Sequence, residues 1–360
     1  MPADAPLHIA VDANVLEADW GGIPKYVSRV VAELVARGDR VDLLVNRRAW
    51  QSPVAGANAV PLRLRGRGPW RDIRVPAWVL RHRPDVYWAP EGVLPHRPGA
   101  PAVVTVHDLA PLLFPGTKPP SVERAFRTTM PRSARTAARV ICVSRATAAD
   151  VASHWGVAEE RIRVVGNGVD ERFTPGDVAA ARVEVGRRFG IEGPYVLHVG
   201  SLEPRKGLDP LLAAATGAPW RLVLAGAPGF DGERLLAAAH AAGAAVLEGV
   251  GDDQLVALYR GAEAVAAPAL YEGFGIVPLE AMACGTPVAA AAPAGALEEV
   301  VGDAAVLVRE RTAEAWSAGV AEARERREEL AERGLRRAAG FRWPDAAAAT
   351  RAVLLEAAGT

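Results

Sequence analysis

Residues 264–291 read AVAAPALYEGFGIVPLEAMACGTPVAAA, and this stretch contains the repeating unit of the fold. The short apolar runs 264–267 and 287–291 are typical of strands that are buried on both faces. Between them, Pro278 in a first turn, followed by LEAMA, predicts a helix over 275–284. A strand, a helix and a strand in succession form two parallel strands with a crossover helix. The stretch therefore predicts an α/β fold.

The same alternation extends over the whole chain. Further strands are predicted at 8–13, 41–45, 85–89, 102–106, 140–144, 162–165, 195–199, 221–225, 245–247 and 304–308. Further helices are predicted at 25–37, 122–138, 146–154, 207–216, 233–242, 253–261, 312–332 and 345–358. Glycine, proline and polar residues cluster around 166–176, which predicts a domain boundary at about residue 172. We therefore expect two Rossmann-like, parallel-sheet domains, 1–172 and 173–343, with a cleft between them.

The composition suits a protein with a substantial core, since half of the 360 residues are apolar and 23% are charged. No apolar run reaches 18 residues, and the N-terminus lacks the basic start and the apolar block of a signal peptide. Cys142 and Cys284 stand in apolar surroundings, and no spacing of Cys or His is typical of a metal site. We therefore expect a cytoplasmic protein with two reduced core cysteines.

The net charge is zero, but the two halves differ. Residues 1–172 contain 24 Lys+Arg and 17 Asp+Glu, and the remainder contains 18 and 25. Much of the basic excess lies in Arg63–Arg83, where Trp70 and Trp78 stand among seven arginines. Such a stretch predicts either peripheral contact with the anionic inner face of a membrane or a solvated helix face with two packed tryptophans. No nucleic-acid partner is expected.

Two glutamates mark a candidate site within the opening stretch. Glu272 precedes the predicted helix and Glu280 lies on its early turns, roughly 10 Å apart along one element. Between them, residues 273–276 offer backbone N–H groups at a helix N-terminus, where a phosphate binds well. A sugar, a diphosphate and a ribose joined in that order fit this arrangement. Two acidic residues near a helix start are also common without any ligand.

Two strand ends carry further candidates. Gly200 follows the strand 195–199, and Arg205 and Lys206 come next, which makes either an anion site or a solvated cationic turn. His107 and Asp108 end the strand 102–106, at the sheet edge where α/β proteins bind ligands. There, His107 either contacts a substrate hydroxyl or closes a turn with Asp108.

Several motifs together resemble one protein family over nearly the whole chain. They are GGIPKY (21–26), VHDL (106–109), NGVD (167–170), GSLEPRKG (200–207), YEGFGIVPLEAMACGTPV (271–288) and EEVVGDAA (298–305). The chain resembles the retaining glycosyltransferases of family GT4. The resemblance implies the GT-B fold, an N-terminal acceptor-binding domain, a C-terminal donor-binding domain and a final helix, about 344–360, that packs back on the first domain.

The resemblance also implies a role for individual residues. Lys206 and Arg205 neutralise the leaving diphosphate, Glu272 binds hydroxyls of the donor sugar, and His107 contacts that sugar near the reacting carbon. Glu280 accepts from the ribose hydroxyls. The remaining donor-site residues are Gly21, Gly22, Gly200, Gly273, Phe274, Gly275, Ile276 and Glu299, and the acceptor-side residues are Tyr26 and Asp108. At 294–296 the chain reads AGA where many relatives carry a small polar or Gly-Gly loop.

The implied reaction is transfer of a hexose from a nucleotide-diphosphate sugar to a saccharide, lipid-linked or natural-product acceptor, with retention at the anomeric carbon. Two routes remain open: departure and attack on one face, or a covalent intermediate on Glu272. No Asp-x-Asp motif is present, so neither a metal nor another cofactor is expected. The VHDL type resembles mannosyl- and rhamnosyltransferases of surface polysaccharides, so GDP-mannose is the first donor, with UDP- and dTDP-sugars open. The alternatives are an epimerase or phosphorylase of the same architecture and a non-catalytic partner protein.

Overall fold

A computed structural model describes residues 5–17 and 21–359 of the chain. The chain forms two compact units. The first contains the residues up to Leu112, Ser121–Gly168 and the residues from Arg342 onward, and the second contains Leu113–Pro120 and Val169–Phe341. The units thus change at 168/169 and 341/342, where the sequence predicted about 172 and 343. The short segment Leu113–Pro120 belongs to the second unit although both of its neighbours in sequence belong to the first.

The sheet of the first unit has seven parallel strands in the order β3-β2-β1-β4-β5-β6-β7. They are β1 His8–Asp12, β2 Arg40–Val45, β3 Asn58–Pro61, β4 Val86–Ala89, β5 Ala102–Val106, β6 Arg139–Cys142 and β7 Ile162–Val164. The inner strands β4 and β5 are completely buried, which explains their continuous apolar sequences. The edge strand β3 has no buried residue, and its sequence gave no strand signal for that reason.

The sheet of the second unit has six parallel strands in the order β10-β9-β8-β11-β12-β13. They are β8 Tyr195–Val199, β9 Arg221–Ala225, β10 Ala245–Leu247, β11 Ala264–Ala267, β12 Val288–Ala291 and β13 Val306–Val308. Both sheets follow the doubly wound order, in which the chain reverses direction across the sheet between two central strands. The reversal lies between β1 and β4 in the first unit and between β8 and β11 in the second. Ligands of such sheets bind beyond the carboxyl ends of these strands.

Sixteen α-helical segments connect the strands in the described part of the chain. They are α1 Gly22–Ala36, α2 Arg67–Pro69, α3 Val75–His82, α4 Ala110–Leu113, α5 Pro120–Arg127, α6 Thr129–Thr136, α7 Arg145–Trp155, α8 Val178–Phe189, α9 Asp209–Ala215, α10 Glu233–Ala241, α11 Asp252–Gly261, α12 Ile276–Ala283, α13 Leu297–Val301, α14 Ala313–Glu325, α15 Arg327–Ala338 and α16 Trp343–Ala358. Shorter 3₁₀ turns lie at Asn14–Glu17, Glu159–Arg161 and Pro204–Lys206, and a π-helical turn lies at Trp70–Arg74.

Two helices predicted as continuous are broken in the structure. The predicted helix 122–138 divides at Thr128, whose φ of −129° is not helical, and Pro131 in the next turn donates no hydrogen bond. The predicted helix 312–332 divides at Arg326 and continues to Ala338. The sequence pattern missed α4, α8 and α13 altogether. At the chain end, α16 packs against α1 within the first unit, where Arg351 Nε lies 2.8 Å from Asp39 Oδ2.

The arginine-rich stretch forms one surface run of helix, from α2 through the π-helical turn to α3. Trp70 is completely buried, and Trp78 stacks on His82 with ring centroids 4.3 Å apart. Ile73 and Leu80 are instead the large apolar side chains that reach the surface. Trp70 is therefore packed in the core, as the second of the two alternatives from the sequence has it. Within residues 5–17 and 21–359, no helix is long and apolar enough to cross a membrane.

Candidate active site

In the second unit, the loops after β8 and β11 are joined at the point where the strand order reverses. The backbone N–H of Leu270 donates to the carbonyl of Arg205 at 2.9 Å, and Arg205 Nη1 donates to the carbonyl of Tyr271 at 3.1 Å. Gly207 has a φ of +60°, and a Cβ at this position would lie 2.4 Å from the carbonyl oxygen of Pro268. Glycine is therefore required for the two loops to approach this closely.

This junction brings together Lys206 and Glu272, the two strongest candidates from the sequence. Lys206 Nζ donates to Glu272 Oε1 at 2.6 Å, and Arg205 Nη1 lies 3.5 Å from Glu272 Oε2. Burial alone would raise the pKa of Glu272, but the charges and hydrogen bonds of Lys206 and Arg205 lower it to about 2. Glu272 is therefore ionised at neutral pH and lies between two cations.

The backbone of Glu272 is held by the loop after β12. Its N–H donates to the carbonyl of Ala294 at 3.3 Å, and its own carbonyl accepts from the N–H of Ala296 at 2.8 Å. A Cβ on Gly295 would lie 2.4 Å from the carbonyl oxygen of Glu272. The loop 294–296 thus supports Glu272 through its main chain.

Two further charged residues near the junction escaped the sequence analysis. Glu203 has a nearly buried side chain, which accepts from Arg205 Nη2 at 3.1 Å and from Lys118 Nζ at 2.6 Å. Lys118 belongs to the segment Leu113–Pro120 of the same unit. The one signal in the sequence that could have pointed to Lys118 was the scarcity of lysine, since the chain contains only Lys25, Lys118 and Lys206. The guanidinium of Arg205 is consequently fixed by protein groups on two sides, and it orders the loop as well as carrying charge.

The helix α12 begins beside this pair of charges. Its N-cap Gly275 has a φ of +104°, and a Cβ there would lie 2.8 Å from Leu297 Cδ2. The side chain of Phe274 is buried edge-on against Phe341, so Phe274 offers only its backbone to a ligand. Lys206 and Glu272 line a pocket of about 60 Å³ together with His198, Val199, Ala267, Ala269, Gly275, Ile276, Val277, Pro278 and Leu297. Such a volume accommodates a phosphate end or water, next to the helix N-terminus that favours anions.

Glu280, the second glutamate of the opening stretch, is nearly buried on α12. Its Oε2 accepts from the hydroxyl of Tyr259 at 3.0 Å. Burial and the charge of Glu280 raise the pKa of Tyr259 well above its usual value, so Tyr259 stays protonated and donates. The contact of Glu280 with ribose hydroxyls remains a prediction. Glu299 is half-buried on α13, where its carbonyl accepts from Arg337, and its donor contact also remains a prediction.

His107 and Asp108 follow β5 in the first unit. His107 Nε2 donates to the carbonyl of Pro90 at 2.8 Å, and Asp108 accepts from the N–H of Ala110 at 2.9 Å. Burial lowers the pKa of His107, against the opposing effects of Pro90 and Asp108. His107 is therefore neutral at pH 7, and Nδ1 is the nitrogen left to accept from a substrate hydroxyl. Its predicted contact with the donor sugar remains a prediction.

Tyr26 lies in the core of the first unit. Its side chain is 1% exposed, and its ring packs edge-on against His107 and Trp88. The hydroxyl lies 3.4 Å from Thr105 Oγ1, and burial raises the pKa of Tyr26 to about 12. The predicted acceptor-side role of Tyr26 remains a prediction. Tyr26 supports the ring of His107, because its own place on the inner face of α1 points it into the core.

The glycine pair at the start of α1 lies beyond the carboxyl end of β1. Gly21 caps the helix with a φ of +128°, and no atom of the described residues lies within 4 Å of a Cβ added to Gly22. The predicted approach of this glycine pair to a phosphate remains a prediction. Residues 18–20, in the loop predicted before this pair, lie outside the described part of the chain. Among residues 5–17 and 21–359, no three acidic, His or Cys side chains are arranged as metal ligands.

Two family profiles and several known proteins match most of the chain. The family profile "Glycosyl transferases group 1" matches residues 187–338, and "Glycosyltransferase Family 4" matches residues 20–173. A D-inositol 3-phosphate glycosyltransferase from Nocardia farcinica is 31% identical, over 94% of this chain and 85% of the relative. The protein of the same name from Mycobacteroides abscessus is 32% identical, over 95% and 86%.

Solved structures share the fold at lower identity. Sucrose-phosphate synthase from Thermosynechococcus elongatus has a TM-score of 0.76 and 21% identity, covering 94% of this chain and 96% of that one. HepE from Anabaena, in complex with UDP and glucose, has a TM-score of 0.70 and 18% identity, covering 93% and 95%. Two doubly wound sheets, the paired charges beside α12 and relatives that cover most of the chain lead to one conclusion: the chain belongs to glycosyltransferase family 4 and has the GT-B fold.

Proposed function

We propose that this glycosyltransferase moves a hexose from a nucleotide-diphosphate sugar to a hydroxyl acceptor with retention of configuration and without a metal ion. The observation that carries the proposal is the ion pair of Lys206 with Glu272 at the N-terminus of α12. Breaking the bond between sugar and phosphate builds negative charge on the diphosphate. A preorganised ammonium and helix N–H groups stabilise that charge by several kcal/mol, on the order of what one such donor contributes elsewhere.

The state of Glu272 favours departure and attack on one face of the sugar. A carboxylate held by two cations, with a pKa of about 2, is a weak nucleophile but a good acceptor for sugar hydroxyls. On this route Lys206 supports the leaving diphosphate, Glu272 orients the sugar, and a diphosphate oxygen takes the proton of the incoming hydroxyl. Anomeric retention is checked by NMR of the product, and a covalent glycosyl adduct on Glu272 detected by mass spectrometry would overturn this route.

The donor and the acceptor are proposed as a starting point for assay. GDP-mannose is the first donor to test, followed by UDP- and dTDP-sugars, since HepE binds UDP. D-inositol 3-phosphate is the first soluble acceptor, because it stands in the names of the relatives. Saccharides and lipid-linked saccharides form the second set of acceptors. Transfer to a polysaccharide precursor would support a mannosyltransferase of polysaccharide biosynthesis.

A thermal-shift screen with UDP, GDP, dTDP and ADP, and with their sugars, tests the donor site. A ligand that binds only the folded chain raises its melting temperature, by an amount that grows with ligand concentration. Lys206→Ala should abolish both this shift and sugar transfer, while Arg187→Ala, which removes an exposed cation on α8, should leave both unchanged. Full activity of a folded Lys206→Ala variant would contradict the proposal, and so would indifference of the wild type to every nucleotide. Transfer activity itself separates an enzyme from a non-catalytic partner.

The absence of a metal requirement is tested separately. Activity should survive dialysis against EDTA and should not rise with added Mg²⁺ or Mn²⁺, because Lys206 and the N–H groups of α12 supply the positive field at the diphosphate. Loss of transfer in EDTA with recovery on adding a divalent cation would show that the site needs a metal.

The surface run of helix in the first unit supports peripheral contact with an anionic membrane. Ile73 is 59% and Leu80 is 64% exposed, and Arg67, Arg74 and Arg81 are exposed at seven-residue intervals along the same run. Apolar side chains flanked by arginines fit an anionic lipid surface. Co-sedimentation should occur with vesicles that contain phosphatidylglycerol and not with pure phosphatidylcholine. It should be lost in the double variant Ile73→Asp, Leu80→Asp, and equal binding to both vesicle types would contradict the proposal.

A further inference from the structure

His198 is a buried histidine in the pocket that no motif pointed to. It lies on β8 beside β11, and its Nδ1 is 3.1 Å from the carbonyl of Ala266. A carbonyl oxygen only accepts, so Nδ1 carries the hydrogen and Nε2 of the neutral ring is a bare acceptor. His198 is 3% exposed, and its Nε2 has no hydrogen-bond partner among the described residues. An unpaired acceptor in such a position is costly unless a ligand or water completes it.

The ring of His198 forms part of the pocket wall next to the ion pair. A Cβ added to Gly200 would lie 3.4 Å from His198 Nε2 and 3.3 Å from Lys206 Cε, so the imidazole and the lysine flank the same glycine. The charged groups that face the ring are Lys206, from the turn after β8, and Glu272, from the loop after β11. The strand β11 contributes the carbonyl of Ala266, and α12 contributes its N-terminus.

The ring is neutral while the pocket holds no ligand. Burial, followed by the charge of Lys206, lowers the pKa of His198 to about 4, against the opposing effects of Ala266 and Glu272. A phosphate oxygen that enters the pocket changes this balance in two ways. Its negative charge favours the protonated ring, and its lone pairs face the lone pair of Nε2, so a proton must lie between the two atoms.

We propose that His198 takes up one proton from solvent when the diphosphate binds, so that the imidazolium joins Lys206 and the N-terminus of α12 in holding this anion. The inference rests on the proposed donor site and adds a proton-linked residue to it. The proton binds Nε2, which then donates to a phosphate oxygen, and it returns to solvent when the diphosphate leaves. The imidazolium is thus present only while there is an anion to stabilise it.

The proton uptake makes ligand affinity depend on pH. A nucleotide sugar keeps both phosphates ionised between pH 6 and pH 8, so its own titration does not contribute. Wild-type affinity should therefore fall as pH rises over this range, by up to about tenfold per pH unit, which is the limit for one linked proton. Calorimetry in two buffers of different ionisation enthalpy should show uptake approaching one proton per site. The probe is UDP-glucose, GDP-mannose or ADP-glucose, whichever raises the melting temperature in the nucleotide screen.

His198→Gln is the matched variant. The side-chain amide of glutamine reaches a similar position and donates a hydrogen bond without titrating. Nucleotide-sugar affinity should therefore become independent of pH, and proton uptake from the buffer should vanish. His198→Leu removes the donor altogether and should bind more weakly than His198→Gln at every pH. Equal proton uptake by the wild type and His198→Gln, or no uptake by the wild type, would overturn the inference.

A measurement on the wild type guards against variants that fail to fold. In protein labelled with ¹⁵N-histidine, the resonance of His198 Nε2 should move from the position of a bare nitrogen to that of a protonated one when the nucleotide sugar is added. An Nε2 that stays unprotonated in the saturated complex would overturn the inference. If no nucleotide sugar binds at all, the proposed function fails first, and the two failures are therefore distinguishable.

Discussion

Glu272 shows how single residues prepare the second unit for an anionic ligand. In the ligand-free chain its carboxylate neutralises Lys206, with Nζ to Oε1 at 2.6 Å, and lies 3.5 Å from Arg205. A diphosphate competes with this carboxylate for the same cations. The ion pair therefore holds Lys206 in place before the ligand arrives. It also weakens ligand binding, because the diphosphate must share Lys206 with Glu272.

Glu272→Gln should separate binding from transfer. Without the competing carboxylate, Lys206 is left with uncompensated charge, so a nucleoside diphosphate should bind several-fold more tightly. Transfer should fall by about tenfold or more, equivalent to about 1.4 kcal/mol, because the amide orients sugar hydroxyls less well. Calorimetry with UDP or GDP and initial-rate kinetics measure the two effects. Weaker binding of the nucleoside diphosphate by a folded variant would contradict this view of the pair.

Acid should destabilise the ligand-free protein in two stages. The pKa of His198 falls from its ordinary 6.5 to about 4 on folding, so the unfolded chain binds the proton first and stability declines as pH falls from 6.5 to 4. The pKa of Glu272 falls from 4.5 to about 2, so its contribution is present above 4.5 and is lost as pH falls to 2.

His198→Gln isolates the first of these stages. The loss of folding free energy between pH 6.5 and pH 4 should shrink by up to about 3 kcal/mol, at about 1.4 kcal/mol for each unit of pKa shift. Urea denaturation at several pH values provides the measurement. Parallel stability curves for the wild type and the variant over this range would show that His198 is not buried in its neutral form.

At the scale of elements, the site depends on how closely two loops approach. Gly207 lets the loop after β8 touch the loop after β11, and Gly295 lets the loop after β12 support Glu272. Both glycines combine a positive φ with a main-chain oxygen 2.4 Å from the position of a Cβ. The charged pair is thus placed by backbone contacts between three loops that follow three neighbouring strands.

Gly207→Ala should damage both stability and nucleotide binding. The left-handed backbone costs about 1–2 kcal/mol for alanine, and the contact with Pro268 forces the loops apart. Gly190→Ala is the matched control, because Gly190 has a φ of +64° but nothing within 4 Å of a Cβ. In urea denaturation, the control should lose a similar part of its free energy of unfolding to backbone strain, and it should keep its affinity for nucleotide. Unchanged nucleotide affinity in Gly207→Ala would show that nucleotide binding does not depend on the close contact between the two loops.

At the scale of the whole molecule, the chain leaves the first unit at Gly168 and returns to it at Arg342. The returning helix α16 is anchored by Arg351, which binds Asp39 at 2.8 Å. Asp39 has no exposed side-chain surface, and its Oδ1 also accepts from the N–H of Leu7 at 2.9 Å. The segment from Arg342 through α16 therefore belongs to the first unit, although it is far in sequence from the other elements of that unit.

Arg351→Met should destabilise the first unit. Removing one partner of a buried ion pair leaves Asp39 with an uncompensated charge, at a cost of about 3–5 kcal/mol. Arg309→Met is the control, since Arg309 is 66% exposed and its pair with Glu298 contributes about 0–1 kcal/mol. Chemical denaturation followed by tryptophan fluorescence compares the two variants. Equal stability of the two variants would contradict the structural role of Arg351.

The amino-acid sequence alone determined every strand except β3, the two-domain organisation and the family. The reason is local: parallel strands buried on both faces, such as β5 and β11, are continuous apolar runs, and the residues that follow them lie at the ligand-binding edge of the sheet. Lys206 and Glu272 could each be placed at that edge on this basis, whereas their contact came from the structure. Edge and surface elements such as β3 and α8 carry no such signal, because few of their side chains are buried.

Only the tertiary structure decided which polar groups meet. The sequence could not show that Glu203 binds both Arg205 and Lys118, which is 85 residues away, or that Tyr26 supports His107 from the core. It also could not show that His198 Nε2 is left unpaired in the pocket. Periodicity reports the face on which a side chain lies, whereas a hydrogen bond depends on the order of the strands and on the path of each loop to within a few tenths of an ångström.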